Sequence, residues 1–149
     1  RPNKLGEDIV VPRSQIPAMV RRIADISARH GLPIAVFGHA GDGNLHPNIL
    51  FDWRLPGELA RVERAAAEIF AAALALGGTL SGEHGIGALK REFLPDALGT
   101  ETVAVMRALK RMLDPLGILN PHKLFPERPD AAHLDFLRSL PVLEGQTPG

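Results

Sequence analysis

The chain has 149 residues, of which 45% are hydrophobic and 23% charged, a composition typical of a water-soluble globular domain with an apolar core. Seventeen basic residues balance seventeen acidic ones, so the charge gives no support for nucleic-acid binding. Cysteine is absent, which excludes disulfides, thiolate ligands and iron–sulfur clusters and fits a cytoplasmic location.

No segment of the sequence is predicted to span a membrane. The longest uncharged run, residues 69–82, is too short to cross a bilayer, and no signal peptide opens the chain. The sequence starts at Arg1 without an initiating methionine and enters a predicted strand almost at once. We therefore expect a fragment of a longer protein.

Hydrophobic periodicity predicts strands that alternate with helices. In chain order, the predicted strands are residues 8–11, 33–37, 45–51 and 79–81. The predicted helices are residues 14–30, 57–76, 86–93 and 100–113, with a weak helix at 130–140. This order predicts an α+β fold, a ferredoxin-like split βαβ sandwich with an antiparallel sheet and extra C-terminal helices.

Two histidines, His39 and His46, bracket the loop between the second and third predicted strands. The glycines Gly41 and Gly43 prevent a helix there and allow a sharp turn, so the histidines should lie at adjoining ends of a hairpin. Their imidazoles can then converge on one ion, with Glu83 after the fourth strand as a third ligand. Three ligands and an open position are typical of a catalytic divalent metal, and this sulfur-free set suits zinc, manganese or iron.

Each of these residues also has a structural explanation when it is taken singly. A histidine beside a glycine is commonly a solvated loop residue, and Glu83 could cap a helix that starts near Ile86. The combination of two histidines and one glutamate on loops at a common sheet edge favours the metal site.

His84 is the candidate catalytic residue, because an imidazole beside a metal-bound substrate is a suitable general base. The alternative is a hydrogen-bonding role next to the ligands. Residues 83 and 84 would point opposite ways on an extended segment, but the flanking glycines relax that restriction.

Asn48 shares the strand face of His46 and either contacts substrate or satisfies a backbone group. The sequence GEHGIG lacks the Gly-x-Gly-x-x-Gly order of a dinucleotide-binding loop.

Three motifs occur in the order HAGDGNLHPN, SGEHGIG and DPLGILNPHKLF. Together they resemble the C-terminal region of FAD-linked oxidases, in the group of the glycolate oxidase large subunit, D-lactate dehydrogenase and D-2-hydroxyglutarate dehydrogenase. The resemblance runs from about Glu7 to Pro126 and is specific for the family, not for the substrate. It implies that residues 1–126 are a fragment of the C-terminal (cap) domain, that 127–149 form a C-terminal tail, and that the FAD-binding domain and the first half of the cap are missing.

The resemblance also implies roles for individual residues. It implies that His39, His46 and Glu83 bind a divalent ion, that His84 acts on the substrate hydroxyl and that Asn48 contacts substrate. Asn120, from the Asn-Pro pair near the C-terminus, is implied to lie near the FAD cofactor.

The implied reaction oxidises a small 2-hydroxy acid, such as glycolate or D-lactate, to the 2-oxo acid. The metal holds the hydroxyl and carboxylate and lowers the hydroxyl pKa, His84 takes the proton, and the α-hydrogen passes as hydride to the flavin. The chain alone is expected to bind FAD weakly and to be inactive.

Two other functions remain open. A standalone metal-binding module would bind an ion without a flavin partner. A metal-dependent hydrolase would use metal-bound water as nucleophile, with His84 as base, and would cleave an ester or amide without flavin. A surface exposed by the missing domain would also permit a homodimer.

Overall fold

The computed structural model describes residues 1–126, which divide into two compact units. The first unit contains residues 1–84 and the second begins at Gly85. The predicted tail, 127–149, and the weak helix expected at 130–140 lie outside the described residues.

The first unit is built on an antiparallel sheet. Its strands are β1 (Asn3–Gly6), β2 (Ile9–Val10), β3 (Ile34–His39) and β4 (Asn44–Phe51). β4 pairs with β3 along one edge and with β1 and β2 along the other, and Thr79 forms an isolated bridge to Val10. From one edge of the sheet to the other, the order is β3, β4, the β1 and β2 strands, and the Thr79 bridge. This is the strand order of a split βαβ unit. The predicted α+β class with an antiparallel sheet is confirmed.

Two helices, α1 (Ile16–His30) and α2 (Glu58–Ala75), pack against each other and against the sheet. Side chains alternate along β4, where 45, 47, 49 and 51 are buried and 46, 48 and 50 are half-buried. The buried set includes Ile49 and Phe51, which join the core with Met19, Ile23, Ile69 and Phe70. The alternation therefore places His46 and Asn48 on the open face of the sheet.

The predicted strands at the two ends of this unit differ from those observed. The first strand, expected at 8–11, is observed as the shorter β2, and β1 precedes it without having been predicted. The fourth strand, expected at 79–81, is reduced to the bridge at Thr79. The fourth strand does not continue because the N–H groups of residues 82–84 donate to a buried carboxylate instead of a neighbouring strand.

The helices of the second unit lie between Gly87 and Leu113, and residues 114–126 form turns, bends and irregular backbone. The unit contains α3 (Gly87–Lys90), a 3-10 turn at Arg91–Phe93, α4 (Leu94–Leu98) and α5 (Thr100–Leu113). The Asp114 carboxylate follows α5 and accepts hydrogen bonds from the N–H groups of Ile118 and Leu119, at 3.1 and 3.0 Å. Across residues 1–126, no helix has both the length and the hydropathy that a membrane span requires.

Candidate metal centre

The β3–β4 turn brings two histidines together at one end of the sheet. The N–H groups of Asp42 and Gly43 both donate to the carbonyl oxygen of His39, at 3.0 and 3.1 Å, which reverses the chain after β3. Gly43 has a φ of +75°, and a Cβ there would lie 2.0 Å from the Val11 carbonyl oxygen. The conformation therefore requires glycine at 43, whereas a Cβ at Gly41 would meet no atom within 4 Å.

His39, His46 and Glu83 offer ligand atoms that all lie within 4.8 Å of one another. Glu83 Oε1 is 3.1 Å from His46 Nε2 and 3.6 Å from His39 Nε2. The two imidazole rings meet edge to face, with centroids 5.4 Å apart. The structure thus brings together the three residues that the sequence predicts as ligands.

These distances suit a small divalent ion. Ligands bound to zinc at about 2.0–2.2 Å in tetrahedral geometry lie roughly 3.4 Å apart, which is close to the two separations from Glu83. The His39 and Glu83 side chains are more than half exposed, and the His46 side chain is 18% exposed. The cluster is therefore open to solvent on one side, as a site that admits a substrate must be.

His84 lies against the same cluster. Its ring is stacked on that of His46, with centroids 5.1 Å apart and an interplanar angle of 18°. Its Nε2 atom is 3.9 Å from Glu83 Oε1, and its side chain is more than half exposed. The bend at 83–84 thus brings these sequence neighbours to the same place, which an extended segment would not allow.

Asp8 is a residue of this centre that sequence reasoning missed. Its side chain is fully buried, and its Oδ1 atom lies 3.8 Å from His46 Nδ1. Its Oδ2 atom accepts hydrogen bonds from the segment that carries Glu83 and His84. The sequence held a signal for this role, because Asp8 opens the strand predicted at 8–11, and the first strand of a split βαβ sheet lies next to the fourth.

Asn48 lies on β4 at the position that the sequence predicts. Its Nδ2 group donates to the carbonyl oxygen of His46, at 2.8 Å, so the amide satisfies a backbone group. A Cβ at Gly6 would lie 3.2 Å from the Asn48 Oδ1 atom. The hydrogen bond accounts for one of the two roles expected of Asn48, and substrate contact stays a prediction.

Asn44, the first residue of β4, is buried and packs against Gly82. A Cβ at Gly82 would lie 2.6 Å from the Asn44 side chain, so the loop approaches β4 as closely as a glycine permits. This contact holds the start of the Glu83 loop next to the strand that carries His46.

Asn120 belongs to the second unit. It is exposed, has a φ of +48°, and helps to line a cavity of about 280 Å³ with Arg107, Arg111 and Lys123. Its predicted place near a flavin stays a prediction.

Comparison with known proteins identifies the family of the chain. Residues 1–124 match the family described as FAD linked oxidases, C-terminal domain. The chain belongs to this family. The resemblance inferred from the three sequence motifs is confirmed.

Relatives of the chain include two glycolate oxidase subunits named GlcD. The Bacillus subtilis protein is 50% identical over 125 residues, which cover 84% of this chain and 27% of the relative, and the Escherichia coli K12 protein is 40% identical over 119 residues, covering 80% and 24%. The mitochondrial D-lactate dehydrogenase [cytochrome] of Kluyveromyces lactis is 37% identical over 123 residues, covering 83% and 21%. The chain thus spans about a quarter of the length of these relatives.

Proposed function

We propose that this chain is the substrate- and metal-binding part of an FAD-dependent enzyme that oxidises a 2-hydroxy acid of the glycolate or D-lactate type to the 2-oxo acid. In this proposal residues 1–126 are a fragment of the C-terminal (cap) domain and 127–149 form a tail. The convergence of His39, His46 and Glu83 carries the proposal, and membership of the FAD-linked oxidase family supports it.

The three converging side chains would hold a divalent ion such as zinc, manganese or iron. When bound, such an ion would supply Lewis-acid polarisation of the substrate hydroxyl, and FAD, which we expect to be bound mainly outside this chain, would supply the redox chemistry. The nitrogen and carboxylate donors fit the ion, and the exposed side of the cluster leaves space for a small hydroxy acid.

His84 is the proposed general base. Its ring lies against His46 and beside Glu83, within reach of a hydroxyl held at the cluster, and Nε2 would take the proton of that hydroxyl. The stacking on His46 orients the imidazole, so that the proton acceptor is in place before substrate arrives. Asn48 and Asn120 are the proposed contacts to substrate and to FAD, respectively.

The test begins with metal binding. Calorimetric titration of the 149-residue chain with zinc, manganese and ferrous iron should show one site, which His39→Ala and Glu83→Gln abolish. His122→Ala, which removes an exposed imidazole of the second unit, is the matched control and should bind the ion like wild type. The metal-loaded chain should then bind D-lactate or glycolate.

Three results would contradict parts of the proposal. Absence of metal binding by the wild-type chain would overturn the metal site and leave Glu83 as an ion-pair partner of the two histidines. Hydrolysis of an ester by the metal-loaded chain without flavin would favour the hydrolase, and metal binding without any affinity for hydroxy acids would favour a standalone metal-binding module. A homodimer and a cytoplasmic location stay predictions from the sequence.

A further inference from the structure

We propose that Asp8 is the positioning residue of the metal centre, because its carboxylate holds the Glu83–His84 loop with one oxygen and faces the His46 ring with the other. This inference rests on the proposed metal site. Asp8 lies in the short break between β1 and β2, and its side chain has no exposed surface. Burying a carboxylate is costly unless polar groups surround it, so the contacts of Asp8 account for its place in the core.

The Oδ2 atom of Asp8 holds the Glu83–His84 loop. It accepts four hydrogen bonds from consecutive residues, at 2.6 Å from the Ser81 hydroxyl and at 3.0, 3.1 and 2.9 Å from the backbone N–H groups of Gly82, Glu83 and His84. Hydrogen bonds to a charged acceptor are the strong ones in proteins. Because two of these N–H groups belong to Glu83 and His84 themselves, the carboxylate fixes the points from which their side chains extend.

The Oδ1 atom of Asp8 faces the His46 ring. It lies 3.8 Å from His46 Nδ1, a buried nitrogen that makes no hydrogen bond to any described residue. The other ring nitrogen, Nε2, faces Glu83 Oε1 at 3.1 Å. A rotation of the imidazole that shortens the Nδ1–Oδ1 distance would form a hydrogen bond between the two atoms. A carboxylate that accepts a hydrogen bond from Nδ1–H selects the tautomer whose Nε2 lone pair is free for a cation.

One buried side chain therefore acts on two of the three proposed ligands, Glu83 and His46, and on the proposed base, His84. It places the backbone of Glu83 and His84 and sets the tautomer of His46. In this proposal Asp8 is not itself a ligand of the ion, and it acts on the site through Glu83, His84 and His46.

Asp8→Asn is the sharpest test, because the amide has the size of the carboxylate. Its oxygen can still accept from the N–H groups of the loop, and its NH2 group then faces His46 Nδ1, which favours the opposite tautomer, with the proton on Nε2. We expect the affinity for zinc to fall about 10- to 100-fold, the effect typical of losing an outer partner of a metal-bound histidine. Asp25→Asn, on the exposed side of α1, is the matched control and should retain wild-type affinity.

A second readout is the tautomer of His46 in the metal-free chain, measured by nitrogen-15 NMR of the imidazole. We expect the proton on Nδ1 in the wild-type chain and on Nε2 in Asp8→Asn. A merely structural role for Asp8 would not exchange one tautomer for the other. If Asp8→Asn does not fold, the wild-type spectrum still decides, because a proton found on Nε2 there would overturn the inference.

The two proposals fail separately. A wild-type chain that binds no metal would overturn the proposed function, while the tautomer measurement would still test the role of Asp8. Metal binding that is unchanged in Asp8→Asn, together with an unchanged His46 tautomer, would overturn the inference about Asp8 and leave the metal site intact.

Discussion

At the scale of single residues, His46 is the residue of the candidate metal centre that lies beside two carboxylates and two other imidazoles. Asp8 lies near its Nδ1 atom and Glu83 near its Nε2 atom, while the rings of His39 and His84 contact its edge and face. The proposal assigns different roles to these neighbours, with His39 and Glu83 as ligands and His84 as the base. Mutations can tell the roles apart, because loss of a ligand should weaken ion binding, whereas loss of the base should lower turnover.

His84→Gln tests this distinction. We expect metal affinity to stay within a few-fold of wild type in the chain, and kcat to fall by about 10²–10⁴ in the complete flavoenzyme, the usual contribution of a general base. Calorimetry and steady-state kinetics with D-lactate or glycolate measure the two effects. If His84→Gln instead loses the ion as His39→Ala does, His84 is a ligand and not the base.

Glu58 is a buried carboxylate outside the candidate metal centre, and we expect it to stabilise the folded state. It accepts a hydrogen bond from the Asp52 N–H group and pairs with Arg1 and Arg61. Burial raises the pKa of Glu58, but the Asp52 hydrogen bond and the Arg1 pair outweigh it, and the pKa lies below its ordinary value of 4.5. The folded state therefore binds the proton less tightly than the unfolded state does.

This difference predicts how acid affects the fold. The contribution of ionised Glu58 is present above pH 4.5 and is lost as the pH falls through the lowered pKa. Glu58→Ala should lower the free energy of unfolding by about 1–3 kcal/mol near neutral pH, since it leaves the part-buried Asp52 N–H group unpaired, and the deficit should shrink in acid. Urea denaturation at several pH values measures it, with Asp25→Asn as control. A deficit that is constant with pH would contradict the prediction.

At the scale of elements, the β3–β4 turn depends on one glycine. Gly43 combines a left-handed φ with close approach to the Val11 carbonyl oxygen, while Gly41 has neither constraint. Gly43→Ala should therefore destabilise the fold by at least about 1–2 kcal/mol, and Gly41→Ala should have little effect. Urea denaturation of the two variants measures the difference. Equal stabilities would mean that the turn can rearrange around a Cβ at 43.

The elements were largely predictable because local patterns determine them. Apolar periodicity predicted α1, α2 and α5, and Gly31, with a φ of +61°, ends α1 as expected of a helix-terminating glycine. The reduced fourth strand was not predictable from periodicity, because its hydrogen bonds go to a side chain distant in sequence. Asp8 was missed for the same reason, since its partners are 73 to 76 residues away.

The candidate site was predictable to the extent that its residues lie in short motifs. The HAGDGNLH motif contains His39 and His46, and GEHG contains Glu83 and His84, so spacing alone identified the cluster. The locally satisfied amide of Asn48 depends on β4 pairing and side-chain rotation, which no motif specifies. The ligand prediction itself still awaits a metal-binding measurement.

At the scale of the whole molecule, the chain covers about a quarter of the relatives with which it was compared. We expect the purified chain to show no flavin absorbance and to retain no added FAD through gel filtration, because the proposal places most FAD contacts outside it. Absorbance spectra of the eluted protein test this. Stoichiometric FAD in the protein peak would contradict the prediction and would place the flavin site within these 149 residues.

The hydrogen bonds of Asp8 have a consequence for the dynamics of the molecule as a whole. Gly82, Glu83 and His84 are exposed residues, yet their amide protons point to a fully buried carboxylate. In hydrogen–deuterium exchange, this surface loop should exchange as slowly as core strands do, because its amides become accessible only when the sheet opens around Asp8. An exchange map would then group the loop with β4, as one cooperative unit that opens together.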